Sequence, residues 1–119
     1  MFTEEKKVEK LEVAIKVRSN VVYDLDGSKK GLIDLDGKIY DKFGFKIGII
    51  GSDGQVHDQY GFLLGLFLKC GRVYDNKGRL LGTVQEDGIV KNAQEKIIAQ
   101  VRGRNKLYAG TACLFFRFA

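Results

Sequence analysis

The stretch KIYDKFGFKIGIIGSDG, residues 38–54, decides the fold, because QVHDQYGFLLGLFLKCG (55–71) and RVYDNKGRLLGTVQEDG (72–88) follow it on the same plan. Its opening recurs as Val22-Tyr23-Asp24, Ile39-Tyr40-Asp41, Val56-His57-Asp58, Val73-Tyr74-Asp75 and, more weakly, Val90-Lys91-Asn92, always 17 residues on. A fixed period marks an architecture in which each unit is one supersecondary motif. The units are 21–37, 38–54, 55–71, 72–88 and 89–105, with a partial sixth from Lys106. Glycine stands at the seventh place (Gly27, Gly44, Gly61, Gly78), the eleventh (Gly31, Gly48, Gly65, Gly82) and the last (Gly37, Gly54, Gly71, Gly88). These columns hold 12 of the 15 glycines, which makes glycine a marker of fixed backbone geometry here and not of flexible linker.

Each column has its own physical reason. Asp41-Lys-Phe-Gly44 and its equivalents open with Asp, whose carboxylate bonds backbone N–H groups further along, and close with Gly, which accepts the left-handed conformation a bulged hairpin turn needs. A second turn ends in Asp36-Gly37, Asp53-Gly54 and Asp87-Gly88, a strong short-range hairpin signal. Asn105 fills that last column in the fifth unit, and Asn tolerates positive φ better than most residues. The eleventh column lies inside a strand, where glycine weakens pairing unless backbones approach closely. Ala99 takes this place in the fifth unit and Ala14 the equivalent place before the first, so smallness is the requirement. The column is expected to face the crowded centre of the array.

Two short strands per unit follow, one around the Tyr-Asp and one around the inner glycine. Leu11, Val13, Ile15 and Val17 alternate with polar or small residues as a half-buried strand does, with an amphipathic helix over Thr3–Leu11 as the alternative. Leu114, Phe115, Phe116 and Phe118 are too apolar to leave in water and are expected to form a buried closing strand. Pairing the terminal strands removes exposed sheet edges. The expected fold is therefore all-β, a closed ring-like array of about five 17-residue hairpins with pseudo-rotational symmetry. At 119 residues it forms one domain: a lead and strand over 1–20, the repeats over 21–105, and a partial repeat with the closing strand over 106–119.

Composition bounds the function classes. A net charge of +5 is ordinary for a small domain and permits weak attraction to polyanions. Cys70 and Cys113 are too few and too far apart for a zinc site or a disulfide framework, and are expected as small, reduced core residues. No apolar run approaches the roughly 20 residues that cross a bilayer, so no membrane contact is expected. Met1–Lys10 alternates in charge without an apolar stretch, so the sequence as it stands carries no export signal and points to the cytoplasm. A leader ahead of Met1 would change that.

The Tyr-Asp-x-x-Gly, inner Gly and Asp-Gly columns, followed by Ala112-Cys113-Leu114-Phe115-Phe116, resemble the β-flower family of bacterial hairpin-repeat domains, in its five-fold type. The resemblance covers residues 21–118. It implies a fold of radiating hairpins and carries no activity, cofactor or site residue with it. The fifth unit departs most, with Glu95 at the first-turn glycine and Lys91-Asn92 for Tyr-Asp.

Few residues of the chain point to chemistry. His57, the only histidine, sits in the column of Tyr23, Tyr40, Tyr74 and Tyr108, which explains it without a catalytic role. Ser19, Ser28 and Ser52 lack a nucleophile-elbow context. No phosphate-cradling loop opens a helix. Asp24, Asp26, Asp34 and Asp36 offer oxygen ligands that calcium accepts, yet Lys29 and Leu35 stand where a calcium-binding loop needs Gly and Glu, and turn formation accounts for the same residues. Arg102, Arg104 and Lys106 cluster near Tyr108, a pattern single-strand binders use, but acidic residues share most units, and nucleic acid is not the expected partner. Tyr platforms for carbohydrate are disfavoured by the lack of Trp.

No catalytic constellation and no cofactor site is expected. The sequence reads as a non-catalytic structural or interaction module whose constant columns build the fold, with the variable turn tips left for a protein partner of unknown identity. Phe43 and Tyr60 are the leading contact residues, because exposed aromatics make better contacts than exposed charges. Packing of these rings against the next hairpin is the competing reading. The alternative function is a calcium- or polyanion-responsive binding domain.

Overall fold

The computed structural model describes residues 15–18, 21–24, 27–103 and 105–116. The strands are β1 (Ile15–Arg18), β2 (Val21–Asp24), β3 (Lys29–Ile33), β4 (Lys38–Asp41), β5 (Lys46–Ile50), β6 (Gln55–Asp58), β7 (Leu63–Phe67), β8 (Arg72–Asp75), β9 (Leu80–Val84), β10 (Ile89–Asn92) and β11 (Ile97–Arg102). A helix, α1, follows over Lys106–Phe115. From β2 to β11 every strand pairs antiparallel with its chain neighbours, a ten-strand meander of five hairpins. Ahead of them, β1 pairs antiparallel with β2 and parallel with β11. The Thr3–Leu11 stretch lies outside the described residues.

The repeat is the fold. In each hairpin the second-place residue opposes the inner small residue, as in Ile39 opposite Gly48 and Val56 opposite Gly65. Across to the next hairpin, the thirteenth-place residue opposes the next second-place one, as in Ile50 opposite Val56. Side chains two apart share a face of a strand, so Val22, Ile39, Val56, Val73 and Val90 join Ile33, Ile50, Phe67, Val84 and Val101 in one buried core. Burial of each such side chain contributes about 1.5–3 kcal/mol. A register shift follows the second place in every hairpin, between Ile39 and Tyr40 for example, which matches the bulged turn read from the sequence.

Turn chemistry repeats with equal regularity. Asp41 Oδ1 accepts from the N–H groups of Phe43 (2.9 Å) and Phe45 (3.0 Å). Asp58 holds Tyr60 and Phe62 in the same way, and Asp75 holds Lys77 and Arg79. Asn92 does so with its amide oxygen, binding Gln94 and Lys96. The glycines closing both turns in the described units have φ between 82° and 101°. Glu95 adopts φ 67° in the same column, at a conformational cost of about 1–2 kcal/mol for an L-residue.

Three expectations are corrected. First, the segment from Lys106 is an α-helix and neither a partial hairpin nor a closing strand. Its Tyr108 falls in the repeat column, but Ala109 and Ala112 stand where a turn needs Asp and Gly, and alanine favours helix above all residues. Second, Asn105 does not take positive φ. It has φ −112° and starts the helix, its carbonyl accepting from Ala109 N–H at 3.1 Å, while Gly103 takes φ 124°. Third, Cys70 is exposed in a second turn, and both cysteines are free.

The helix buries Ala109, Gly110, Thr111 and Ala112 and contacts β3, β9, β10 and β11. The last two residues of the helix and the residue that caps it lay one apolar side chain on each of three successive inner glycines. A β-carbon on Gly82 would stand 2.8 Å from Leu114 Cδ2, one on Gly65 2.6 Å from Phe115 Cζ, and one on Gly48 2.6 Å from Phe116 Cε1. The inner column is thus small for a definite reason: the C-terminal segment fills the space its side chains would take. Gly65→Ala should therefore destabilise the protein by about 3 kcal/mol, because the added methyl meets both Phe115 and the Tyr74 carbonyl. Gly61→Ala, whose φ is 89° but whose methyl would enter open space, should cost only about 1–2 kcal/mol. Glu95→Gly should raise stability by a similar amount. Thermal melts of the three variants check the order, and equal losses for Gly65→Ala and Gly61→Ala would dismiss the packing account.

Candidate functional site

The meander places the described first turns on one rim and the described second turns on the other. Among the described first turns, residues 42–45 and 59–62 carry Phe43, Phe45, Tyr60 and Phe62, whereas 76–79 and 93–96 carry Lys77, Arg79, Gln94, Glu95 and Lys96. Phe43 is 72% exposed and Tyr60 76%, so neither ring packs against the next hairpin. Phe45 and Phe62, each 68% exposed, stand two places on from them across the turn glycines. In both turns the Asp carboxylate accepts from the N–H of the aromatic before the glycine and of the aromatic after it, which fixes the backbone that presents the rings. Lys42 Nζ lies 5.3 Å from the Phe43 ring centroid, within cation–π range.

Phe45 and Phe62 are the residues that sequence reasoning missed. They follow the turn glycine and lie outside the tip pairs singled out from the sequence. The signal was nevertheless present: the same column carries Ser28, Arg79 and Lys96 in the other units, residues that do not belong in a core.

The acidic columns act as backbone acceptors. Asp34 Oδ1 accepts from Asp36 N–H and Lys38 N–H, while Asp36 itself is exposed. The side chain of Asp24 and the whole of Asp26 lie outside the described residues. Among the described residues no three His, Cys, Asp or Glu side chains gather as a metal site. Asp75 has its carboxyl held below the ordinary value, first by the Arg79 N–H; desolvation, the next largest effect, opposes this, and the Lys77 N–H and the Arg79 side chain add to the lowering. The Arg79 Nε donates to its second oxygen at 3.0 Å.

His57 is half-buried on β6, opposite Ile49 and Leu63 in register. Burial pushes the Cys113 thiol up to about 12, so it stays protonated and unreactive at neutral pH. A shallow cleft of about 340 Å³ lies where the second turns of the third and fourth units meet the helix start; Lys69, Cys70, Glu86 and Lys106 line it. Lys106 Nζ donates to the Glu86 carbonyl at 3.3 Å across one wall. His57 is not part of that lining, so the cleft does not pair thiol with imidazole. Of the inner glycines, Gly31, Gly48, Gly65 and Gly82 are all buried, a structural role. No helix among the described residues is long and apolar enough to cross a membrane.

No curated protein and no solved structure matches the chain. A family model described as 5-fold beta-flower protein matches residues 4–119. That match spans every repeat together with the C-terminal helix and the apolar segment beyond it, and the chain therefore belongs to the five-fold β-flower family.

Proposed function

We propose that this chain is a non-catalytic binding module, in which the repeated columns build the scaffold and the first-turn tips of the second and third units make the contact. The observation that supports it most is the exposure of Phe43 and Tyr60 on neighbouring hairpins, joined by Phe45 and Phe62. Exposed aromatics cost solubility and add nothing to the core, so a contact role explains their place where a folding role does not. Aromatic residues are also the commonest energetic centres of interfaces. The double variant Phe43→Ser with Tyr60→Ser should melt like the parent, since exposed positions contribute within about 0.5 kcal/mol. Immobilised on beads beside the parent in the same host lysate, it should lose what the parent captures. An unchanged set of captured species would dismiss the tips as the contact.

The scaffold itself we infer to be a closed ring with β1 as its clasp. What supports closure is register: Ile15, Lys16, Val17 and Arg18 oppose Asp24, Tyr23, Val22 and Val21 on one side and Ala99, Gln100, Val101 and Arg102 on the other. A ring leaves neither β2 nor β11 as an edge. Amide hydrogen exchange should then protect β2 and β11 as strongly as β5 and β6. Fast exchange along the outer side of either strand would make the array an open one.

The calcium-responsive alternative needs the Asp columns as ligands, and their Oδ1 atoms already serve the turns. A bound ion at 100 times its dissociation constant would add about 2.7 kcal/mol. Melts in chelator and in millimolar calcium should coincide, and a rise of several degrees with calcium would install the carboxylates as a metal site.

A further inference from the structure

The two rims differ in charge as well as in apolar character. Among exposed residues of the four described first turns, the cations are Lys42, Lys77, Arg79 and Lys96 and the anion is Glu95; the turn aspartates beneath them are half-buried. The four second turns between β3 and β10 reverse this, exposing Asp36, Asp53, Glu86 and Asp87 against Lys69. One end of the molecule thus carries cationic and aromatic side chains at its exposed tips, while the other is mixed, because Arg72 and Arg102 are exposed beside those acids.

Resting on the reading that the tips are the contact, we propose that the first-turn rim docks on the surface of an anionic phospholipid bilayer. Phe43, Phe45, Tyr60 and Phe62 enter the headgroup boundary, and Lys42, Lys77 and Arg79 stay at the level of the phosphates. The aromatic tips project outward, which suits a boundary that gives way around them and not a rigid partner with a matching cavity. Three of the four rings are phenylalanines, with no polar edge to satisfy in the acyl region, and apolar side chains ringed by lysines are what surface-bound membrane proteins present. The cationic side chains among the aromatic tips draw this rim toward an anionic leaflet. The expectation of no membrane contact came from the lack of a spanning segment, which leaves attachment to the surface untouched.

The test is co-sedimentation with vesicles of phosphatidylglycerol and phosphatidylcholine in equal amounts, and with vesicles of phosphatidylcholine alone. The parent should pellet with the mixed vesicles, and at least about tenfold more weakly with phosphatidylcholine alone or in high salt. Phe43→Ser with Tyr60→Ser, and separately Lys42→Glu with Lys77→Glu, should each weaken binding about tenfold while melting normally. Failure to pellet with the mixed vesicles overturns the lipid proposal, as does binding to a single-stranded oligonucleotide in place of them. If the lysate species are still lost from the Phe43/Tyr60 variant, the tips remain the contact and only the lipid is wrong. Vesicle binding unchanged in both variants overturns the lipid proposal and the tip reading together.

Discussion

The fit between the inner small column and the C-terminal segment is the constraint on which the rest depends. The inner face of the hairpin array leaves no room for a side chain at Gly48, Gly65 or Gly82. The second- and thirteenth-place Val, Ile and Phe fill part of it, and the eleventh place stays bare so that neighbouring carbonyls approach it. The remaining space is filled by one continuous segment, with Leu114 over Gly82, Phe115 over Gly65 and Phe116 over Gly48. The helix that delivers these residues sits equally close, because a β-carbon on Gly110 would stand 2.6 Å from Val84 Cγ2. Thr111 Oγ1 is buried there with no hydrogen-bond partner among the described residues.

This arrangement divides the work of specification. Local turn chemistry makes each hairpin, but identical hairpins do not say where the series stops. The stop is written in residues 105–116, where the turn signals lapse, alanines take their place, and helix propensity prevails over the repeat. Small departures inside the series are absorbed without loss of pattern. Asn92 reproduces the double acceptance of the aspartates because the turn uses a single oxygen. Glu95 keeps the left-handed conformation at an energetic cost, because the neighbouring strands fix the backbone there.

The hairpins, both turns and the smallness of the eleventh place were legible in the sequence, since all of these are local and recur in unit after unit. Two features were not. The helix was hidden because Tyr108 falls in step with the repeat and because an apolar run such as Ala112–Phe116 fits a buried strand and a buried helix alike. The partnership of Leu114, Phe115 and Phe116 with three separate glycines is long-range, and no single-position signal encodes it. Within the candidate site, Phe43 and Tyr60 were readable as tip residues because the Asp-x-x-Gly turn puts them there. Phe45 and Phe62 were not, because a residue after a turn glycine belongs to loop or strand according to the bulge, and the bulge moves them out of the pleat's inward register.

A scaffold specified this way leaves its tips free. The turn is held by a carboxylate oxygen and two backbone N–H groups, so the side chains at the sixth and eighth places contribute nothing to its geometry and vary from Phe43 and Phe45 to Lys77 and Arg79 without altering a hydrogen bond length by more than about 0.1 Å. Symmetry of backbone therefore coexists with asymmetry of surface. Aromatic residues on neighbouring tips in two units, with cationic tips beyond them, make a directional face on a nearly symmetric body, and a directional face is what binding to one surface in one orientation requires. The columns that resist change are explained by packing and turn geometry; the positions tolerant of change carry the chemistry that distinguishes this protein from a bare repeat of its own hairpin.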